Sequence, residues 1–395
     1  MRSATSTDPL LARLRRLQHS DTAGGVVLLV CTAAALAIAN SPFGDAYHHF
    51  WETKVGIGDG ALRLSLEHWI NDGLMAVFFF VVGLEVKREL VLGELRDPRR
   101  ASLPIIAAVG GMLVPAGVYL LLAGGGPAAR GWGIPMATDI AFVVGCMALL
   151  GPRVPHGLRI MLLTLAIADD IGAILVIAIG YSSGVALDAL GLGLALLAGI
   201  LVLQRLGVQS IPVYVAVGVA VWLAFLHSGV HATIAGVILG LLTPGGPSPS
   251  SDTAADSPLE YLEHLLRPWV SFMVMPIFAL ANAGVAVRLG DLTHPVALAV
   301  AAGLVVGKPL GVVLASWLAV RARLARLPDG VGWTAVLGAG LLAGIGFTMA
   351  LFIAGLALPP ESRDVAKVGI LLASVLAAVA GMAVLATTLP KRSIS

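Results

Sequence analysis

The 395-residue chain holds about twelve apolar runs, each close to 20 residues long, separated by short polar or Pro/Gly breaks. A run of that length satisfies its own backbone hydrogen bonds as a helix and reaches across ~30 Å of hydrocarbon. Composition agrees: 58% of residues are hydrophobic and 12% charged, against about 25% charged in soluble domains. The expected fold is an all-α integral membrane bundle, a single transporter domain over 1–395. Disorder, a secreted disulfide scaffold and a nucleic-acid module are excluded. A net charge of +2 identifies no partner beyond the lipid bilayer. Cys31 and Cys146 lie inside apolar runs, where a thiol packs as a small hydrophobe, so no redox role follows. No cofactor is expected.

The spans are placed at residues 22–40, 65–85, 102–123, 131–150, 158–181, 185–204, 210–226, 229–243, 262–287, 296–319, 332–358 and 366–388. The first has too long an apolar core, and no small-residue site after it, to be a cleavable signal. An even number of spans leaves both ends on one side. That side holds Arg2, Arg13, Arg15, Arg16, Lys87, Arg88, Arg96, Arg99, Arg100, Arg153, Arg159, Arg205, Arg267, Arg321, Arg323, Arg326, Lys391 and Arg392. The other keeps Lys54, Arg63, Arg130, Arg288, Arg363 and Lys367. This asymmetry puts both the leading segment 1–21 and the tail 389–395 in the cytoplasm. Between spans, 41–64 reads as an external β-hairpin, with Phe50 to Ile57 and Ala61 to Leu64 flanking an Asp59-Gly60 turn. The Pro/Ser/Gly-rich stretch 243–258 reads as a flexible cytoplasmic connector.

Against this apolar background five charges stand out: Asp72, Asp139, the pair Asp169-Asp170, and Lys308. An ionised side chain at mid-membrane costs about 3 kcal/mol on insertion scales, so each needs a reason. Asp72 lies near the start of its span, where a satisfied hydrogen-bonder or a misplaced boundary would also explain it. Asp169 and Asp170 are flanked by apolar sequence on both sides, too far from either span end for a boundary error. Adjacent helical residues point about 100° apart, so one carboxylate can line a water-filled path while its neighbour faces another helix. Lys308 is the natural partner. Two carboxylates side by side in low dielectric resist simultaneous ionisation, and either a proton or a hard cation satisfies them. Carboxylates that hold H⁺ or Na⁺, but not both, are a minimal exchange device. Asp169 and Asp170 are the expected metal ligands for Na⁺, with the Thr138 hydroxyl, backbone carbonyls and water completing the shell.

Two spans look breakable. One carries Gly131, Gly133 and Pro135 ahead of Thr138 and Asp139; the other carries Gly338, Gly340, Gly344 and Gly346. Matching breaks in two halves point to a binding site between inverted repeats. Four half-helix ends would then meet in the membrane, with Asp139 neutralising the positive ends and Lys308 the negative ones.

At these residues the chain resembles the NhaA family of bacterial sodium/proton antiporters, over nearly its whole length. The matching stretches are Ile70 to Phe80, Gly83 to Leu90, Thr138 to Phe142, Ala168-Asp169-Asp170, Ser228 to Thr233, Gly307-Lys308-Pro309 and Gly344 to Met349. That family is itself a known case of broken spans in inverted repeats, so the two readings are not independent. The resemblance implies twelve spans with two inverted three-span repeats (spans 3–5 and 10–12) and two discontinuous crossing helices. It also implies electrogenic exchange of Na⁺ or Li⁺ for H⁺ across the bacterial inner membrane, active at alkaline pH. Asp169 and Asp170 match the ion- and proton-binding pair, Lys308 the partner of Asp169, and Thr138 and Asp139 the helix crossing, with Asp72 on the ion path. Family pH-response positions match Glu85, Arg88, Glu89, Glu263, His264 and His231. For His231 a packed histidine near a helix start is an equal alternative. Arg267 departs from the pattern, since a histidine stands there in other members and an arginine cannot titrate near neutrality. The hairpin resembles the segment through which members form homodimers.

Two other classes share some of these features. Gly56-Ile57-Gly58-Asp59 matches the Gly-x-Gly-Asp string of intramembrane aspartyl proteases, but it lies in the polar hairpin and no span offers a Tyr-Asp partner. A cation channel also uses acidic residues; the single aspartate pair with its lysine and the paired breaks favour an exchanger.

Overall fold

The computed structural model describes residues 21–56, 63–182, 184–208, 210–245 and 257–389. Its helices are α1 (Asp21–Ala39), α2 (Gly44–Glu52), α3 (Leu66–Val91), α4 (Pro98–Ala123), α5 (Ile140–Leu150), α6 (His156–Gly180) and α7 (Leu187–Arg205). They continue with α8 (Ile211–Ser228), α9 (Thr233–Leu242), α10 (Pro258–Asn282), α11 (Pro295–Arg321), α12 (Trp333–Ala343), α13 (Phe347–Ala357) and α14 (Pro360–Thr388). A 3-10 segment, Gly126–Met136, precedes α5. Among the described residues, eight helices are long and apolar enough to cross a membrane, or eleven if each of three bent pairs is one span. The pairs are α1 with α2, bent by 114°, the 3-10 segment with α5, by 41°, and α12 with α13, by 48°.

Helix ends follow local chemistry. Asp97 accepts the Arg99 N–H and Pro98 occupies the first turn of α4, while Ser257 and Glu260 form a capping box on α10. Outward faces carry large apolar side chains with nothing to cover them but lipid: Leu121 is 84% exposed and Ile179 82%. The chain is therefore a multi-pass membrane protein.

Inside, small residues let backbones approach. Helix α3 lies along α9, with Gly83 against Val237 O, Gly236 against Ala76 O and Gly240 against Phe80 O. Helix α4 lies along α11 through Gly110 and Gly311. Around that second seam gather α6, α12, α13, α14 and the 3-10 segment, and their facing side chains make the main core. A smaller apolar cluster of Leu197, Ile200, Val221, Phe225 and Ile234 joins α7, α8 and α9.

Several boundaries differ from the sequence reading. The strand expected from Phe50 onward is helical to Glu52, because Tyr47, Phe50 and Trp51 pack edge to face on one turn and Tyr47 donates to Leu280 O. The ladder is only Lys54–Val55 against Leu64–Ser65, antiparallel. The Asp59-Gly60 turn lies outside the described residues, as do most of the 243–258 connector, the N-terminal segment to residue 20 and the tail from 390. The last span begins at Pro360 rather than 366, so Lys367, counted among the external cations, lies about two turns inside the helix and is 7% exposed. The span expected at 229–243 is only the 10-residue α9, because a turn through Gly229 precedes it.

Candidate ion-binding site

The two breaks touch. Between the 3-10 segment and α5 the chain is extended at Ala137–Asp139, and α12 gives way to α13 across Gly344–Gly346. The Asp139 N–H donates to Ile345 O at 2.7 Å, joining one break to the other. The Asp139 carboxylate then serves both positive ends. It accepts the Phe142 N–H at 3.3 Å in the first turn of α5, the Thr348 N–H at 3.1 Å in the first turn of α13, and the Thr348 hydroxyl.

The negative ends are met from the other side. Lys308 Nζ donates to Met136 O, the last carbonyl of the 3-10 segment, and to Asp169 Oδ2. The Thr138 hydroxyl lies 2.8 Å from Ala343 O, at the end of α12, and 2.6 Å from Asp169 Oδ2. It has a single hydrogen, so the two acceptors share or alternate it. Lys308, Asp169 and Thr138 are each 0% exposed, so water does not weaken these bonds. A π-helical turn, Gly303–Gly307, leads into Lys308. Gly303 packs on Pro135 and Gly307 on Pro115, contacts that leave no room for a side chain. Close packing of α11 on α4 is thus what delivers the ammonium to the break.

Asp169 and Asp170 divide as the helix geometry requires: Asp169 is held by Lys308 and Thr138, whereas Asp170 sits in the field of Glu85, Asp169 and Asp139, with Lys308 opposing. Among the described residues, neither Asp169 Oδ1 nor Asp170 Oδ1, both buried, has a hydrogen-bond partner. Two carboxylates, Asp169 and Asp170, share one ammonium, while Asp139 is answered by the two helix starts. An uncompensated charge at such depth is costly, so protons or cations must supply the difference.

The remaining residues fall elsewhere. Asp72 lies in a π-helical turn, 3.0 Å from His68, and its backbone carbonyl accepts the Trp222 Nε1–H; among the described residues no hydrogen bond or ion pair ties it to the crossing. His231 stands at the start of α9 with Nε2 3.1 Å from Tyr181 O. At the opposite end of α3, Arg88 reaches Glu263 at 3.3 Å and Glu89 at 3.6 Å, and Glu85 lies within the field of Arg267, Glu263, Arg88 and Glu89. His264 is exposed beside them and acts on Glu260. Five of the six expected pH-response residues therefore gather at one mouth, and His231 is apart from them.

Sequence reasoning missed Thr348, the second ligand of Asp139, because a threonine in an apolar helix is ordinary. It also missed the reciprocal amide pair Asn71 and Asn282, bonded at 2.8 and 3.2 Å between α3 and α10.

Residues 15–385 match the family model described as Na⁺/H⁺ antiporter 1. A protein of Rhodopirellula baltica described as Na⁺/H⁺ antiporter NhaA is 50% identical, over 97% of this chain and 96% of its own. Relatives of the same description from Rhizobium meliloti and Acidovorax sp. are 49% and 52% identical, covering 98% and 95% of this chain and 97% and 92% of their own. With the crossing geometry, a family match over nearly the whole length and identities near one half, the chain belongs to the Na⁺/H⁺ antiporter 1 family.

Proposed function

We propose that the protein exports Na⁺, or Li⁺, in exchange for H⁺ by alternating access, and so regulates internal pH and sodium. The observation that carries this is the pair of buried carboxylate oxygens, Asp169 Oδ1 and Asp170 Oδ1, that no protein donor satisfies. Each can take a proton or a shared cation. In the proton-loaded form Asp170 holds a hydrogen, and the Asp169–Lys308 contact shares another. Arriving Na⁺ is ligated by Asp169, Asp170 and the Thr138 hydroxyl oxygen, and both protons leave. The site then reopens to the other side with Na⁺ bound and returns protonated.

Thr138 and Asp139 hold the crossing still during this exchange, since together with Lys308 they answer all four half-helix ends. Asp72 lines the approach from outside. The bundle is read as twelve spans, the short α9 among them, with inverted repeats formed by α4 to α6 and by α11 to α14. It sits in the bacterial inner membrane with both termini cytoplasmic, as a homodimer through the external hairpin. Glu85, Arg88, Glu89, Glu263 and His264, with His231 on the far side, tune activity toward alkaline pH.

Everted vesicles test the reading: adding Na⁺ or Li⁺ should collapse a preset pH gradient, and K⁺ should serve as the comparison cation. A channel would pass Na⁺ with no counter-ion opposite; an exchanger requires one.

A further inference from the structure

The 3-10 segment Gly126–Met136 runs for 11 residues, whereas such runs seldom exceed about four. Something outside the segment has to hold it. Two buried tyrosines do so. Tyr119, on α4, donates its hydroxyl to Ala128 O at 2.8 Å. Tyr181, just past the last turn of α6 and 4% exposed, donates to Arg130 O at 2.8 Å and accepts the Gly133 N–H at 3.1 Å. Arg130 O and Gly133 N–H are three residues apart, the spacing of one 3-10 hydrogen bond. The Tyr181 hydroxyl therefore bonds the acceptor and the donor of a single 3-10 turn at once, and ties that turn to the end of α6.

The surroundings fix this contact. A Cβ on Gly133 would lie 2.6 Å from the hydroxyl, so the position admits only glycine without a shift. Trp132 packs obliquely on the Tyr181 ring at 6.4 Å between centroids. His231 Nε2 meets the Tyr181 backbone carbonyl. Three residues beyond that turn is Met136, whose carbonyl takes Lys308, and two further is Thr138. Pro135 has no N–H, so the ladder cannot be re-set between the turn and that carbonyl.

We propose that Tyr181 is a positioning residue for ion exchange: by tying the 3-10 turn to the end of α6 it sets where the Met136 carbonyl stands, and thereby how Lys308 divides its hydrogen bonds between that carbonyl and Asp169. The proposal rests on the reading of Asp169, Asp170 and Lys308 as the exchange site. Without the hydroxyl, Arg130 O and Gly133 N–H lose their shared partner and the turn is free to shift away from α6. The Met136 carbonyl then withdraws from Lys308, which leans harder on Asp169, and Na⁺ must compete with a tighter ion pair.

The test is the Na⁺ dependence of exchange in everted vesicles for Tyr181→Phe, which keeps the ring packing. The expected result is a KM for Na⁺ raised roughly three- to tenfold, the scale of one altered hydrogen bond, with the maximal rate per folded transporter within about twofold of the parent. Gly133→Ala displaces the same hydroxyl from the other side and should raise KM alike; it carries the test should Tyr181→Phe fail to insert. In the Tyr181→Phe background Gly133→Ala should add less than it does alone. A parental KM in both variants, with any rate lost only in proportion to folded protein, overturns the positioning role. Exchange retained in Asp170→Asn would instead overturn the site reading, so the two failures are distinct.

Discussion

Lys308 is the residue on which most of the crossing depends, since one ammonium serves both the Met136 carbonyl and the Asp169 carboxylate in a region with no water to replace it. Removing one partner of a buried pair typically costs ~3–5 kcal/mol. Lys308→Ala should therefore melt well below the parent in detergent, at neutral and alkaline pH alike, and should lose exchange. Equal melting temperatures would mean that the ammonium faces water. Asp170 poses the opposite case, a carboxyl among like charges with one oxygen unsatisfied. Asp170→Asn keeps size and removes both the proton site and the anionic ligand. It should insert and melt at or above the parental temperature while exchange falls to background. Sodium-dependent proton movement in that variant would contradict the assignment.

At the scale of elements, glycines decide which helices can lie together. A Cβ on Gly236 would run into Ala76 O, on the seam between α3 and α9. Gly236→Leu should force those helices apart at a cost of about 1–3 kcal/mol or more, read as a lower melting temperature. Gly191→Ala on α7, where an added Cβ meets nothing within 4 Å, should stay within about 0.5 kcal/mol of the parent. If the two behaved alike, the seam would not be close-packed. The same reasoning ties the glycines of α11 to function, because Gly303 and Gly307 bring Lys308 to the break. How much of this was legible in the sequence varies by element. The breaks could be anticipated from Gly133, Pro135, Gly344 and Gly346, but the tyrosine that props one of them could not. A tyrosine at a span end reads as an ordinary interface residue, and the partners of Tyr181 are about fifty positions away.

For the whole molecule, two protons exchanged against one Na⁺ would move net charge on every turnover. A sodium jump on transporter adsorbed to a supported membrane should give transient currents. If H⁺ and Na⁺ compete for the same carboxylates as proposed, apparent Na⁺ affinity should weaken as pH falls, by about tenfold per pH unit for each proton displaced, in the range where those carboxylates are protonated. Currents of zero amplitude, or an affinity independent of pH, would return the channel and the neutral exchanger to contention.

By itself the sequence determined the solvent of this protein, the chemistry of its interior charges and the places where two spans break. Those properties are local: twenty apolar residues cross a bilayer whatever follows them, and an aspartate at mid-span must be satisfied wherever the partner comes from. Only the tertiary structure decided which partner came. It assigned Asp139 to two helix starts at once, matched Lys308 with Met136 and Asp169, left one oxygen each of Asp169 and Asp170 without a donor among the described residues, and buried Lys367, counted among the external cations, in the helix wall. Those outcomes depend on how closely α4, α11 and the two broken spans approach, and contacts between residues a hundred or more positions apart leave no periodicity for a sequence to display.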